Sequence, residues 1–74
     1  MRKQQPEVDY IGFLIERHGL VIGQTDRCLT KEEAIARVKK AKPFRPDLIP
    51  VRAEVYQIDE WGDVIQPRLW SERR

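Results

Sequence analysis

Seventy-four residues, 41% hydrophobic and 35% charged with a net charge of +2, describe one globular domain and exclude a disordered chain. A domain this short buries only about 60% of the surface its unfolded chain exposes, so its core is small. One cysteine, Cys28, and one histidine, His18, exclude an intramolecular disulfide and fall short of the ligand set of a structural zinc site.

Residues 1–8 read as a flexible N-terminal segment, polar and carrying Pro6. They lack the apolar stretch of a secretory signal. With the unpaired thiol, this predicts a reducing, cytoplasmic compartment. No apolar run is long enough to span a membrane. A single domain is expected over 9–71, with 72–74 as a flexible C-terminal tail.

The run from Tyr10 to Arg17 is β-branched and aromatic, and predicts a strand. His18-Gly19 reverses the chain, and a second strand follows from Leu20. Its register is open. A two-residue loop sets Ile15 opposite Ile22, whereas a three-residue loop sets Ile15 opposite Val21 and Leu14 opposite Ile22. Gly12 and Gly23 mark a bulge or a close contact with another backbone.

Thr30-Lys31-Glu32-Glu33 matches a capping box and starts a helix over 31–42 that Pro43 ends. Ala34, Ile35, Val38 and Ala41 share its apolar stripe. Residues 43–50 hold three prolines and predict an extended connection, with Phe44, Leu48 and Ile49 covering one end of the core.

Val51 to Asp59 alternates as a strand, Glu60 to Gly62 forms a three-residue turn with Gly62 left-handed, and Val64 to Trp70 returns. Pro67 lacks an N–H, so this last strand belongs at an edge or bulges there. The fold class is therefore α+β, in β-β-α-β-β order. An antiparallel four-stranded sheet carries one helix on one face.

This hairpin predicts Ile58 opposite Val64, Tyr56 opposite Gln66, Glu54 opposite Arg68 and Arg52 opposite Trp70. The outward face then carries Arg52, Tyr56, Arg68 and Trp70, apolar enough to attract a partner and basic enough to orient one. Val51, Ala53, Val55, Ile65 and Leu69 fall on the core face. Trp61, in the turn, either folds back over the sheet or stands out as a binding anchor.

No nucleophile–base set, glycine-rich phosphate cradle or metal-ligand spacing occurs. Neither catalytic residues nor a cofactor nor a small-molecule substrate is expected. Cys28 reads as a buried small apolar residue, and His18 as a solvated turn residue. The expected function is a non-catalytic interaction module that binds another protein, or a second copy of itself as a homodimer. Arg52, Tyr56, Trp61, Arg68 and Trp70, or an edge strand, are its contact residues.

The alternative is a nucleic-acid-binding accessory protein using the basic helix face, with Arg37, Lys39, Lys40, Lys42 and Arg45. Glu32 and Glu33 on the same helix stand against it. Residues 26–45 hold this cationic surplus, and residues 46–66 reverse it with Asp47, Glu54, Asp59, Glu60 and Asp63 against Arg52.

Overall fold

A computed structural model describes residues 9–74; the expected N-terminal segment 1–8 lies outside the described residues. The alternating apolar runs form strands β1 (Asp9–Glu16), β2 (Val21–Gln24), β3 (Pro50–Ile58) and β4 (Val64–Arg73). Helix α1 (Lys31–Lys40) follows β2. The four strands make one antiparallel sheet in the order β2-β1-β3-β4, and α1 packs on the central pair β1 and β3. The fold is α+β, as expected.

The helix starts as its sequence dictates. Thr30 Oγ1 accepts the Glu33 N–H at 3.1 Å, while Glu33 Oε1 accepts the Leu29 N–H at 3.3 Å. It ends two residues early. Pro43 disfavours helical backbone at Lys42, and Ala41 is already extended, with its N–H on the Val38 carbonyl. Ala34 and Val38 are fully buried, and Ile35 and Ala41 pack beside them.

The core joins this stripe to Leu14, Ile22, Cys28, Ala53 and Val55. Leu48 packs on its margin, whereas Phe44 and Ile49 stand 62% and 78% exposed instead of covering the core. The proline-rich connection is tied down mainly through its backbone, by the Phe44 N–H on the Ile22 carbonyl.

Gly12 fixes which sheet face meets the helix. A Cβ there would lie 2.6 Å from Val38 Cβ and 2.8 Å from its Cγ2, so β1 approaches α1 as closely as a bare backbone allows. Val38 is β-branched and stiff at χ1, and cannot swing away. Gly12→Ala is therefore expected to cost about 1–2 kcal/mol. Overpacking, typically about 1–3 kcal/mol, is partly offset by the lower chain entropy of alanine. Urea unfolding at pH 7 checks this, and unchanged stability would mean that the helix sits further from the sheet.

Both registers considered for the first hairpin occur, on either side of a bulge. Ile15 faces Val21 next to the three-residue turn, while Leu14 faces Gly23 and Phe13 faces Gln24 beyond it. Ile22 is the extra residue, and its side chain enters the core. Gly19 closes the turn at φ +91°.

The second hairpin begins as predicted, with Gly62 at φ +87° and Ile58 opposite Val64. Past Pro67 it does not. From the pair Gln57–Ile65 to the pair Val55–Trp70, β3 advances two residues while β4 advances five. Three extra residues are an odd number, so every side chain beyond them changes face. Trp70 thus lies opposite Val55 on the helix side, not opposite Arg52 on the outer side, and packs against the core. Leu69 leaves the predicted core and is 37% exposed. The residues expected as a tail continue the strand, with Glu72 opposite Ala53, Arg73 opposite Arg52, and the Arg74 N–H on the Val51 carbonyl.

Candidate functional site

Directly paired residues share a face of a sheet, so Gly12 and Val55 toward the helix put Ile11, Phe13, Ile15, Arg52, Glu54 and Tyr56 on the other side. Ser71 and Arg73 join them from β4 through their pairs with Glu54 and Arg52. Phe13 and Tyr56 meet edge to face, their ring centroids 5.9 Å apart at 60°.

Glu54 organises this face. Its carboxylate is almost fully buried and accepts three hydrogen bonds: Arg52 Nε at 2.7 Å and Arg68 NH1 at 2.8 Å on Oε2, and the Tyr56 hydroxyl at 3.0 Å on Oε1. Burial works to raise its pKa, but the bonds from Arg52, Arg68 and Tyr56 outweigh it and hold the carboxyl below its ordinary value. The Tyr56 phenol is pushed up, by burial and by donating to Glu54. Arg52 gives only Nε to this carboxylate and Arg68 only NH1, so each keeps further donors that Glu54 does not use.

The expected Glu54–Arg68 pair is thus present despite the shifted register. Arg68 lies inside the bulged stretch, and its long side chain spans the offset. Three of the predicted contact residues, Arg52, Tyr56 and Arg68, come together on the outer face. The other two do not. Trp70 is on the helix side, where Lys39 Nζ stands 5.9 Å from its ring centroid. Trp61 is 77% exposed at the tip of the second hairpin and does not fold back over the sheet.

Two adjoining hollows mark the accessible part of this face. One, of about 390 Å³, is lined by Phe13, Ile15, Tyr56, Val64, Gln66 and Arg52 among others. The second, of about 660 Å³, also includes Arg52 and adds Arg17, Arg68, Arg73 and Ser71, with no Asp or Glu among its described lining residues. Arg74 borders it too, but its guanidinium turns to the helix side, where NH1 donates to the Val38 carbonyl at 3.4 Å. Sequence reasoning missed this arginine cleft. Its arginines come from the first turn, β3 and β4, and only the extended β4 brings Arg73 into place.

The helix face is differently balanced. Arg37 pairs with Glu33 at 3.1 Å, Lys39 with Glu72 at 3.7 Å and Arg45 with Asp47 at 2.9 Å. Only Lys40 and Lys42 of the five predicted cations have no such pair among the described residues.

Cys28 is buried, as expected, and burial pushes its thiol pKa up, away from the reactive thiolate. His18 is exposed in the first turn, with Nδ1 3.0 Å from Glu16 Oε2. The Leu20 N–H holds Glu16 below the usual carboxylate range against burial, helped by His18. No group of three metal-ligating side chains occurs among the described residues, and no helix there is long and apolar enough to cross a membrane. Comparisons with protein-family models, curated proteins and solved structures found no match to this chain.

Proposed function

We propose that this chain is a non-catalytic interaction module that engages its partner through the outer face of the sheet. One observation carries the reading. A buried carboxylate, Glu54, orders Arg52, Arg68 and Tyr56 beside an accessible hollow, next to the Phe13–Tyr56 ring pair. Ordered polar groups around half-buried aromatics are what a binding surface needs, because little side-chain freedom is left to lose on association.

The face serves this role better than the sheet edge. Pro67, Arg68, Glu72 and Arg73 all lie on edge strand β4, and proline and charge there discourage strand addition. The helix face supports binding less, since three of its five cations are already paired.

A double variant, Tyr56→Ala with Arg68→Ala, tests the face. The chain should keep its circular dichroism spectrum and a cooperative melt, yet lose the partners that wild type captures from a native-host lysate. A folded double variant that captures the same partners as wild type would end this reading.

A further inference from the structure

The cleft beside the aromatic pair points to the nature of the partner. We infer that the outer face binds single-stranded nucleic acid, its phosphates in the cleft of Arg17, Arg52, Arg68 and Arg73 and its bases on Phe13 and Tyr56. This rests on the proposed use of that face and goes further by naming the ligand.

Charge is the first support. Four arginines, Arg17, Arg52, Arg68 and Arg73, line one hollow, and no Asp or Glu is among its described lining residues. The one acid bonded to them among the described residues, Glu54, is 3% exposed and binds two of the four, Arg52 and Arg68. Such a surface attracts a polyanion and releases its counterions on contact. Arginine suits this role, because a guanidinium held at one nitrogen still offers donors to a phosphate oxygen.

Arrangement is the second support. The cleft and the aromatic hollow share Arg52, so one extended ligand can occupy both. Phosphates and flat unsaturated rings alternate along a nucleic acid, and stacking on a sheet needs bases that are free of a partner strand. A duplex hides its bases and would meet only the arginines.

The register shift in β4 makes the face less apolar and more cationic than the sequence predicts. It removes Trp70, the largest apolar anchor predicted for the face, and sets Arg73 opposite Arg52 in its place. With its largest apolar anchor gone and arginine over much of its area, the face offers more to a polyanion than to the apolar core of a protein interface.

The test titrates full-length chain against fluorescently labelled twelve-residue oligomers (oligo-uridine, oligo-deoxythymidine and a mixed duplex) over 50–250 mM salt. Single strands should bind, and more tightly than the duplex. With four arginines engaged, log K should fall with log salt with a slope of about −2.8. Arg68→Ala with Arg73→Ala should reduce that slope to about −1.4 and weaken binding at least tenfold. Tyr56→Ala should weaken it about 5- to 150-fold with the slope unchanged, the mark of a stacking contact. Lys40→Ala with Lys42→Ala, on the helix side, should change affinity less than twofold. The uridine and deoxythymidine arms tell whether the backbone is ribose or deoxyribose.

The inference is overturned if no single strand binds at 50 mM salt, if the duplex binds as well and Tyr56→Ala changes nothing, or if only the helix-side variant abolishes binding. Nuclease treatment of the lysate separates this failure from failure of the face itself. Capture that survives nuclease yet is lost in the Tyr56/Arg68 variant keeps the face and removes the nucleic acid.

Discussion

Trp70→Ala is expected to lower the unfolding free energy by about 2–4 kcal/mol and to leave binding at the outer face unchanged. The indole lies opposite Val55 and packs on the cluster formed by Leu14, Val38, Ala53 and their neighbours. Removing a fully buried tryptophan costs roughly 3–5 kcal/mol, and partial exposure reduces that figure. Lys39 adds a cation–π contact and an ion pair with Glu72, both exposed and together worth less than about 1 kcal/mol.

A chain of this length has a total stability of roughly 4–11 kcal/mol, so the loss should be visible as a large drop in urea midpoint. Wild-type stability in Trp70→Ala, together with weakened oligomer binding, would return the ring to the outer face and contradict the register of β4. The pairing of Trp70→Ala with Tyr56→Ala is informative because the two aromatics are expected to fail in opposite assays.

That division was only half legible in the sequence. The helix was, because Thr30, Glu33 and the 34/35/38/41 stripe are local signals that do not depend on distant partners. The tip of the second hairpin was also legible, since Gly62 fixes the turn and the turn fixes Ile58 opposite Val64. Facing beyond Pro67 was not. A proline announces that the ladder is interrupted, but the parity of the extra residues decides which side a later ring takes, and no local signal gives that count. The first hairpin shows the same limit. Its two registers compete evenly in the sequence, and the chain uses both by turning Ile22 inward at the bulge. The arginine cleft was hidden for a related reason. Arg17, Arg52 and Arg73 are far apart in sequence, and the strand that unites them runs through residues that read as a tail.

Glu54 connects the fold to the face, and its charge should be measurable as acid-sensitive stability. Glu54→Gln keeps the size of the side chain and one acceptor, but removes the charge that Arg52 and Arg68 share. Breaking a fully buried ion pair costs about 3–5 kcal/mol. Here the two arginine side chains remain 40% and 50% exposed and regain water, so a loss of about 2 kcal/mol is expected at pH 7. Because the folded-state pKa of Glu54 is depressed, its contribution is complete above the unfolded value of about 4.3 and is lost as pH falls through the lower folded value. The gap between wild type and Glu54→Gln should thus stay constant from pH 7 to about 5, narrow below about 4.3, and close once Glu54 is protonated in the folded chain. Wild type alone is a poor gauge, since Glu16, bonded by the Leu20 N–H, and Asp47, bonded by Arg45, are depressed as well and add to its acid lability. The difference between the two proteins cancels them. Urea midpoints for both at pH 7, 5, 4 and 3 supply that difference. A gap of the same size at pH 7 and pH 3 would show that Glu54 stabilises the sheet through its shape and hydrogen bonds, with no contribution from its charge.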